Sequence, residues 1–347
     1  MMRLYNCDGW ANMPDIIESP TPFVLCIGGR GTGKTYGAIK YLLENRIKFL
    51  YLRRTSSQME LVSKEGFCPI VKIGADLGMA LCTVSLGKYA TAVHRIDDEG
   101  NAMGESIAYI MALSTISSAR SIEASSVTCL LYDECVPELH EKQIKAESTA
   151  FLNCVETISR NRELQGKEPL KVVCLANANN MEAAILKALN CIKPLDQMKK
   201  KKQSYRVDHV TGLTIALLND SPISAEKRQT ALYKLTMNTG DFTDMALANN
   251  FSQDNYIDIA NRSLAEYTPV ASIGTITLYR HKNNYTWYVS ETKSGSPEEF
   301  INSMTERQRF RKKYFRAWED YFDKKVLFEN VSAKVFFKAV FLDNLAT

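Results

Sequence analysis

The 347-residue sequence predicts an α/β domain with a mostly parallel sheet, then a short helical linker and a smaller α+β domain. Its length fits two domains at ~150 residues each. The first 220 residues alternate short apolar runs with amphipathic stretches, which is the pattern of strand–helix repeats. After residue 256, short strands alternate apolar and polar side chains, and a basic helix follows them. These changes place the predicted boundaries at 1–222, 223–252 and 253–347.

Composition excludes several classes of protein. With 45% hydrophobic and 24% charged residues, the chain has the balance of a globular protein rather than of a disordered or fibrous one. It has no run of ~18 apolar residues and no signal sequence in MMRLYNCDGW, so we expect an intracellular protein with no membrane partner. The nine cysteines form no C-x-x-C pair and the four histidines are dispersed, which predicts buried reduced thiols and no metal-binding cluster.

The first domain is predicted from five apolar runs. Four of them are near-continuous aliphatic segments, which is typical of parallel strands covered on both faces. Strands are predicted at 23–27, 48–52, 106–113, 127–132 and 171–176, with a later hairpin of 204–208 and 213–218 around a Thr-Gly turn. Helices are predicted between them at 34–45, 56–64 and 141–162.

The linker begins at Ser221-Pro222, which is typical of a helix N-cap followed by a first-turn proline. We predict linker helices at 225–237 and 243–249. The second domain is predicted to contain strands at 256–260, 271–279 and 285–290, followed by helices at 306–325 and 332–342.

The most specific motif is GGRGTGKT, a complete G-x-x-x-x-G-K-T that follows the first strand and opens a helix. Its glycines let backbone N–H groups surround a β-phosphate, and the helix N-terminus favours negative charge. Lys34 supplies a cation to the β- and γ-phosphates, and the Thr35 hydroxyl is a Mg²⁺ ligand. The alternative is a glycine-rich turn that matches by chance. The predicted nucleotide-binding residues are Gly28, Gly29, Arg30, Gly31, Thr32, Gly33, Lys34 and Thr35.

A second motif ends the strand at 127–132 with Asp133 and Glu134. An acid at the carboxyl end of a core strand can hold Mg²⁺ through water, and Glu134 can polarise an attacking water. A carboxylate there favours a hydrolytic ATPase over a small-molecule kinase, which uses a substrate hydroxyl. The alternative is a solvated turn after a strand.

Two further polar positions follow. Arg160, in Ser-Arg-Asn-Arg at the end of the predicted helix 141–162, can stabilise the transferring phosphoryl group in a neighbouring subunit. Arginines near a helix C-terminus are also ordinary partners of the helix dipole. Asn177 follows the strand 171–176 and can contact the γ-phosphate or the attacking water, although asparagine is common after strands.

Together these residues resemble the additional-strand, catalytic-glutamate class of P-loop ATPases, and within it the phi-29-like genome-packaging ATPases of tailed double-stranded DNA phages. The resemblance extends more faintly through residues 224–251 and then weakens. The matching segments are FVLCIGGRGTGKTYGAIKY (23–41), FLYLRRT (49–55), SVTCLLYDE (126–134), ISRNRE (158–163) and VCLANA (173–178).

The resemblance implies roles for single residues. Lys34 and Thr35 would bind ATP and Mg²⁺, Asp133 would be the Walker B acid that holds Mg²⁺, and Glu134 would be the catalytic base. Arg160 corresponds to the arginine finger that acts in trans, with Arg162 as the second choice. Arg53 and Arg54 match a pair of arginines with no assigned role. Arg120 matches a basic residue facing the channel of the ring or the neighbouring site.

The family also implies partners and a location. Its members form a homo-oligomeric ring, a pentamer, at the portal vertex of an empty procapsid in the host cytoplasm and drive double-stranded DNA inward. Some are seated on a structural RNA, which this sequence neither requires nor excludes. The C-terminal domain is expected to be RNase H-like without nuclease activity. The predicted strand 271–279 contains no carboxylate, and Asp254, Asp258 and Glu291 lie outside it.

Two basic clusters are candidates for contact with nucleic acid. Residues 1–198 carry a net charge of −1 and residues 199–347 carry +5, an excess that is compatible with a polyanionic partner. A run of lysines precedes the predicted hairpin and a second cluster lies on the basic helix, and either could instead be a solvated surface. The candidates are Lys199, Lys200, Lys201, Lys202, Arg309, Lys312, Lys313 and Arg316.

Two other functions remain open from the residues alone. Another P-loop DNA translocase or helicase would share the nucleotide site but separate the strands of the duplex. A nucleotide-gated assembly factor would bind ATP as a structural switch with little turnover.

Overall fold

The computed structural model describes residues 2–119, 125–138, 141, 144–219, 221–235 and 256–342. Arg120, Asp254 and the predicted helix 243–249 lie outside these ranges. The chain divides into two compact units, the first of Met1–Leu189 and Lys201–Phe251, the second of Asn190–Lys200 and Ser252–Thr347. The second unit therefore contains residues 190–200, a segment that the predicted boundaries placed in the first domain.

A nine-stranded sheet forms the centre of the first unit. Its order is β3-β4-β5-β2-β6-β7-β1-β9-β8. The six consecutive strands β5, β2, β6, β7, β1 and β9 are parallel to one another. This confirms the predicted α/β class with a mostly parallel sheet. The strands are β1 Phe23–Gly28, β2 Phe49–Arg53, β3 Leu81–Ser85, β4 Ala90–Ile96, β5 Ala102–Ala112, β6 Cys129–Tyr132, β7 Lys171–Ala176, β8 Tyr205–Asp208 and β9 Leu213–Leu218.

The central strands are apolar because helices cover both faces of the sheet. Every residue of β2, β6 and β9 is buried. A single core cluster joins these strands to the helix that follows β1. The helices of this unit are α1 Met13–Ile17, α2 Lys34–Glu44, α3 Ser56–Ser63, α4 Pro69–Asp76, α5 Glu147–Ser159, α6 Ala184–Ala188, α8 Ile223–Lys227 and α9 Ala231–Leu235.

Some elements of the first unit differ from the sequence prediction. The antiparallel hairpin of β3 and β4, and the helices α1 and α4, were not predicted. The helix predicted from residue 141 begins at Glu147, and the predicted helix 225–237 is two short helices over the residues described.

The second unit contains a five-stranded mixed sheet packed against helices, which is the predicted α+β arrangement. Its order is β13-β10-β11-β12-β14, antiparallel between β10, β11 and β12 and parallel at both edges. The elements are α7 Ile192–Lys200, β10 Tyr267–Ile273, β11 Ile276–His281, β12 Trp287–Ser290, β13 Glu298–Phe300, α10 Met304–Lys313, α11 Phe315–Phe322, β14 Val326–Phe328 and α12 Val331–Leu342.

Three predictions for this unit were wrong. Residues 256–260 form no strand, only an isolated bridge between Ile259 and Phe328. The segment 271–279 is two antiparallel strands rather than one, because Gly274 has a φ of +57° and opens a two-residue turn between Ile273 and Ile276. The predicted helix 306–325 is α10 and α11, which are separated at Tyr314, where φ is −110°.

The structure also bears on the cysteines and on membranes. All nine cysteines are described and none forms a disulfide; seven of them are buried, Cys82 is partly buried and Cys7 is exposed. In the described part of the chain, every helix is too short or too polar to cross a bilayer.

Candidate active site

The predicted site residues meet at the carboxyl edge of the first sheet. Strand β7 lies between β1 and β6, so the ends of these three strands are adjacent. The glycine loop follows β1, Asn177 follows β7 and Asp133 follows β6. Strand β7, between β1 and β6, is the additional strand that the resemblance implied.

The glycine loop turns sharply between β1 and α2. Gly31 and Gly33 have φ values of +60° and +84°, which side chains rarely adopt. A Cβ on Gly33 would lie 3.3 Å from the ring of Trp10, and one on Gly31 would lie 2.7 Å from Lys227 Nζ. The left-handed backbone favours glycine at both positions, and at Gly33 the nearby indole of Trp10 also restricts the space.

Lys34 is the first residue of α2, and its ammonium lies against the glycine loop. Its Nζ donates to the carbonyl oxygens of Gly28 and Gly29, each at 2.8 Å, and to Asn177 Oδ1 at 3.1 Å. Burial lowers the pKa of Lys34 from 10.5 to about 8. The ammonium of Lys34 is thus bound by oxygens of the glycine loop and of Asn177 at the end of β7. It can also bind an anion at this position.

Thr35 and Asp133 form a second contact between the loop and the sheet. Thr35 Oγ1 lies 3.0 and 3.1 Å from the two carboxylate oxygens of Asp133, which is 4% exposed. Tyr51, on β2, donates its hydroxyl to Asp133 at 2.8 Å. A hydroxyl and a carboxylate at this separation fit a Mg²⁺ ion, which prefers oxygen ligands and retains waters.

Arg53 contacts both acids of the second motif. Its guanidinium lies 3.2 Å from Asp133 Oδ2 and also donates to the carboxylate of Glu134. Burial would lower the pKa of Arg53, but Tyr51, Asp133 and Glu134 together raise it above its ordinary value. Glu134 is half exposed and has a left-handed backbone (φ +52°). Its carboxylate lies at the border of the site, where Arg53 binds it.

Two cavities adjoin the loop. A cavity of about 380 Å³ is lined by residues 30–36, Asp133, Glu134 and Asn177. A larger one of about 770 Å³ shares Gly31, Gly33 and Tyr36 with it and is mostly apolar, with Trp10 in its wall. Cavities of this size and lining are typical of small-molecule sites.

Arg54 points away from the site into the protein. It is completely buried, and its Nε and Nη2 lie 2.7 and 3.1 Å from the two carboxylate oxygens of Glu147, the first residue of α5. Glu141 accepts a further bond at 3.0 Å.

The two arginines after α5 differ in position. Arg162 is buried, and its Nη1 donates to the carbonyl oxygen of Val127 at 2.8 Å, so it is not available to a neighbouring subunit. Arg160 is exposed in a left-handed C-cap (φ +46°). Both lie at the amino edge of the sheet, because α5 returns the chain from the end of β6 to the start of β7.

The run of four lysines begins at the end of α7. Lys199 and Lys200 are its last two residues; Lys199 Nζ lies 3.7 Å from the ring centre of Tyr256, and Lys200 lies 2.8 Å from Asp196. Lys201 and Lys202 are exposed after it.

Three of the four candidate cations on the basic helices are paired with acids. Arg309 contacts Glu306, Lys313 contacts Glu298 and Arg316 contacts Asp320, at 2.5, 2.7 and 3.1 Å. Lys312 is exposed on α10.

The acids of the second unit named in the nuclease argument are also paired. Asp258 is 2.8 Å from Lys334 and Glu291 is 2.5 Å from Lys193. Among the described residues there is no group of three or more histidines, cysteines and acids that could hold a metal.

Three residues near the site were not assigned by the sequence analysis: Tyr51, Arg53 and Trp10. Tyr51 and Arg53 alternate on one strand, and a polar pair at the end of an apolar strand is a signal for this edge of the sheet. Trp10 gives no such signal, since its contact with Gly33 depends on the fold of the N-terminal segment.

Comparison with solved structures supports this fold. The structure is similar to that of the Phi-28 gp11 DNA packaging motor, with a TM-score of 0.63 and 17% identity over 97% of this chain and 98% of that chain. It is similar to the bacteriophage Phi-29 viral genome packaging motor assembly, with a TM-score of 0.62 and 16% identity over 98% and 99% of the two chains. No curated protein matches the sequence. Residues 10–327 match the family described as Podovirus DNA encapsidation protein (Gp16), and since the match covers most of the sequence, the chain belongs to that family.

Proposed function

We propose that this chain is the ATPase subunit of a ring-shaped motor that moves double-stranded DNA into an empty phage procapsid through its portal. Membership of the DNA encapsidation family supports the packaging function. One observation carries the ATPase assignment: the Lys34 ammonium, the Thr35 hydroxyl and the carboxylates of Asp133 and Glu134 line a single cavity at the end of three adjacent strands.

The residues fit ATP with Mg²⁺. The backbone of the loop and Lys34 would hold the β- and γ-phosphates, while Thr35 and Asp133 would hold the ion, which neutralises charge on the phosphates when it is bound. Asn177 accepts a hydrogen bond from the Lys34 ammonium. It would contact the γ-phosphate or the attacking water. The apolar cavity beside Trp10 and Tyr36 has the volume for the base and ribose.

Glu134 would activate the attacking water. In this structure its carboxylate is bound to Arg53, which also contacts Asp133. Arg53 binds one carboxylate oxygen of Glu134 and holds the side chain at the border of the site, so we infer that hydrolysis involves a rearrangement of this pair when the phosphates and Mg²⁺ are in place.

Arg160 would act in a neighbouring subunit. Helix α5 is 13 residues long, which corresponds to ~20 Å between the carboxyl edge of the sheet and Arg160 at the amino edge. Arg160 therefore cannot reach the site of its own chain, and a second copy must supply the arginine that completes each site. This favours a homo-oligomeric ring, and we propose a pentamer by resemblance to the family.

Other partners follow from the same proposal. The ring would work in the host cytoplasm, transiently on the portal vertex, and would grip the DNA backbone without sequence preference. A structural RNA at the portal is compatible with the basic second half of the chain. We propose that the RNase H-like second unit has no nuclease activity, because Asp258 and Glu291 are each paired with a lysine.

Glu134→Gln tests the ATPase assignment. The amide cannot accept the proton of water, so we expect DNA-stimulated turnover to fall by ~10²–10⁴ while ATP binding and ring assembly are unchanged. Glu60→Gln, a matched change at an exposed position of α3, should leave all three unchanged. Wild-type turnover in Glu134→Gln would reject the motor in favour of a nucleotide-gated assembly factor, and strand separation of a forked duplex by the wild-type ring would favour a helicase.

A further inference from the structure

We propose that Arg54 is a positioning residue that couples the nucleotide site of one subunit to the arginine which that subunit presents to its neighbour. The inference rests on the proposed action of Arg160 in trans. It concerns the residue that determines where Arg160 is held.

Arg53 is the last residue of β2 and Arg54 follows it directly, and their side chains contact groups on opposite sides of the chain, as successive side chains of an extended segment do. Arg53 contacts Asp133 and Glu134 in the nucleotide site. Arg54 contacts Glu147 at the start of α5. A displacement of Arg53 therefore displaces the backbone that also carries Arg54.

The contact between Arg54 and α5 is a strong one. Arg54 is completely buried and both oxygens of Glu147 accept bonds from its guanidinium, at 2.7 and 3.1 Å. Bidentate pairs of this kind fix orientation as well as distance. Separating the two groups would leave a buried charge without its partner, so the start of α5 must follow the end of β2.

A second contact joins the same helix to the strand that carries the acids. The ring of Phe151 on α5 stacks on Tyr132, with centroids 5.7 Å apart, and Tyr132 immediately precedes Asp133. The first turns of α5 are thus fixed to the ends of both β2 and β6, which supply Arg53 and Asp133.

The far end of α5 carries Arg160. The helix is continuous for 13 residues, and the loop after it is held by the bond from Arg162 to the Val127 carbonyl. A rigid helix transmits a rotation at its first turn to its last turn. When nucleotide releases Glu134 from Arg53, the change at β2 moves α5, and the position of Arg160 reports the nucleotide state of its own subunit to the next one.

The test uses mixed rings and the double variant Arg54→Met/Glu147→Met. Replacing a buried ion pair by apolar side chains of similar size is often neutral for stability. Glu141, the other partner of Arg54, is partly exposed and can be solvated, so this subunit should fold and bind ATP. We expect the homo-oligomer to lose about 10²-fold in DNA-stimulated ATPase rate, since a displacement of ~1 Å in a catalytic group costs that much. Mixing with Lys34→Ala subunits, whose own sites are inactive but whose Arg160 is intact, should restore activity.

Mixing identifies the defect because the two subunits supply different parts of the site. If Arg54 and Glu147 serve only to support their own nucleotide site, Lys34→Ala subunits will not rescue the double variant, and the inference is wrong. Mixing the double variant with Arg160→Ala subunits should give no rescue, because neither then presents a correctly placed arginine.

Two controls separate this inference from the proposed function. Arg160→Ala mixed with Lys34→Ala must recover activity; failure there would reject action in trans altogether, whereas failure confined to the double variant rejects only the role of Arg54. If the double variant does not fold, Glu147→Asp keeps both charges and shortens the connection by one methylene. It should show the same rescue by Lys34→Ala, and wild-type activity in unmixed Glu147→Asp rings would count against the coupling.

Discussion

Burial of Lys34 changes the protonation chemistry of the nucleotide site. Burial lowers the pKa of Lys34 to about 8, so at higher pH a growing fraction of the protein has a neutral amine in the loop. Triphosphate beside this amine favours its charged form. Above pH 8, binding of ATP should therefore take up a proton, and affinity should fall with pH by as much as ~10-fold per unit.

Calorimetry at pH 9 in two buffers with different heats of protonation would measure this uptake. Lys34→Arg is the matched control, since arginine stays protonated throughout this range and should show no uptake. Burial also lowers the pKa of Lys227, whose Nζ contacts the carbonyl of Arg30, so Lys227→Arg should retain the uptake of the wild-type protein. An affinity that is constant from pH 7 to 9.5 would contradict the prediction.

Residues of the site were predictable from the sequence where they belong to a short motif or directly follow a recognisable strand. Lys34 and Thr35 belong to one motif, and Asp133 follows a strand that is recognisable by its apolar run. The function of Arg54 was not predictable, because its partner Glu147 lies 93 residues away and nothing local distinguishes a buried arginine from an exposed one.

At the scale of one element, α5 connects the two edges of the first sheet. It begins at the Arg54–Glu147 pair and is followed by two arginines with different surroundings. Arg162 binds the carbonyl of Val127, two residues before β6, and so holds the loop after α5 in place. Arg160 is exposed. The two residues should therefore respond differently to substitution.

Arg162→Met should lower the free energy of unfolding by about 1–3 kcal/mol, because the buried carbonyl of Val127 loses its donor. Arg160→Ala should change it by less than ~0.5 kcal/mol, as expected for an exposed position, while abolishing turnover of the unmixed ring. Urea denaturation of the two variants measures the first quantity and a steady-state ATPase assay measures the second. Equal destabilisation by both would contradict this division of roles.

The elements that were predicted well are long or strongly apolar. The hairpin of β3 and β4 was missed because LCTVS and ATAVHRI mix polar and apolar residues without regular alternation. The turn at Gly274 was missed because a glycine inside a β-branched run also occurs in bulged strands. Its left-handed φ, rather than the apolar pattern, determines that two strands form.

For the whole molecule, the distribution of paired and unpaired cations indicates where DNA binds. The cations at 309, 313 and 316 already contact acids, so DNA would have to displace those partners. Among the described candidates, Lys201, Lys202 and Lys312 are exposed and take part in no ion pair. We therefore expect the release of counterions to depend more on these lysines, two of which are adjacent, than on the paired cations.

Lys201→Ala/Lys202→Ala should weaken binding to duplex DNA and reduce the slope of log affinity against log salt concentration by roughly 1 per lysine. Lys313→Ala/Arg316→Ala should change the slope by less, although it removes the same charge. Fluorescence anisotropy over a range of salt concentrations would compare them, with Lys64→Ala, at an exposed position of the first unit, as a further control. The opposite ranking of the two double variants would assign DNA binding to the basic helices.

The chain enters the second unit twice, first as α7 and again after residue 251. Ile192, Leu195 and Met198 form the buried side of α7, and α7 packs in that unit against α12. A fragment that ends near residue 251 would leave this apolar stripe in water and invite aggregation. To obtain the first unit alone, residues 190–200 should be excised and Leu189 rejoined to Lys201 through a short polar bridge; a simple C-terminal truncation would not reproduce the boundary that the protein itself uses.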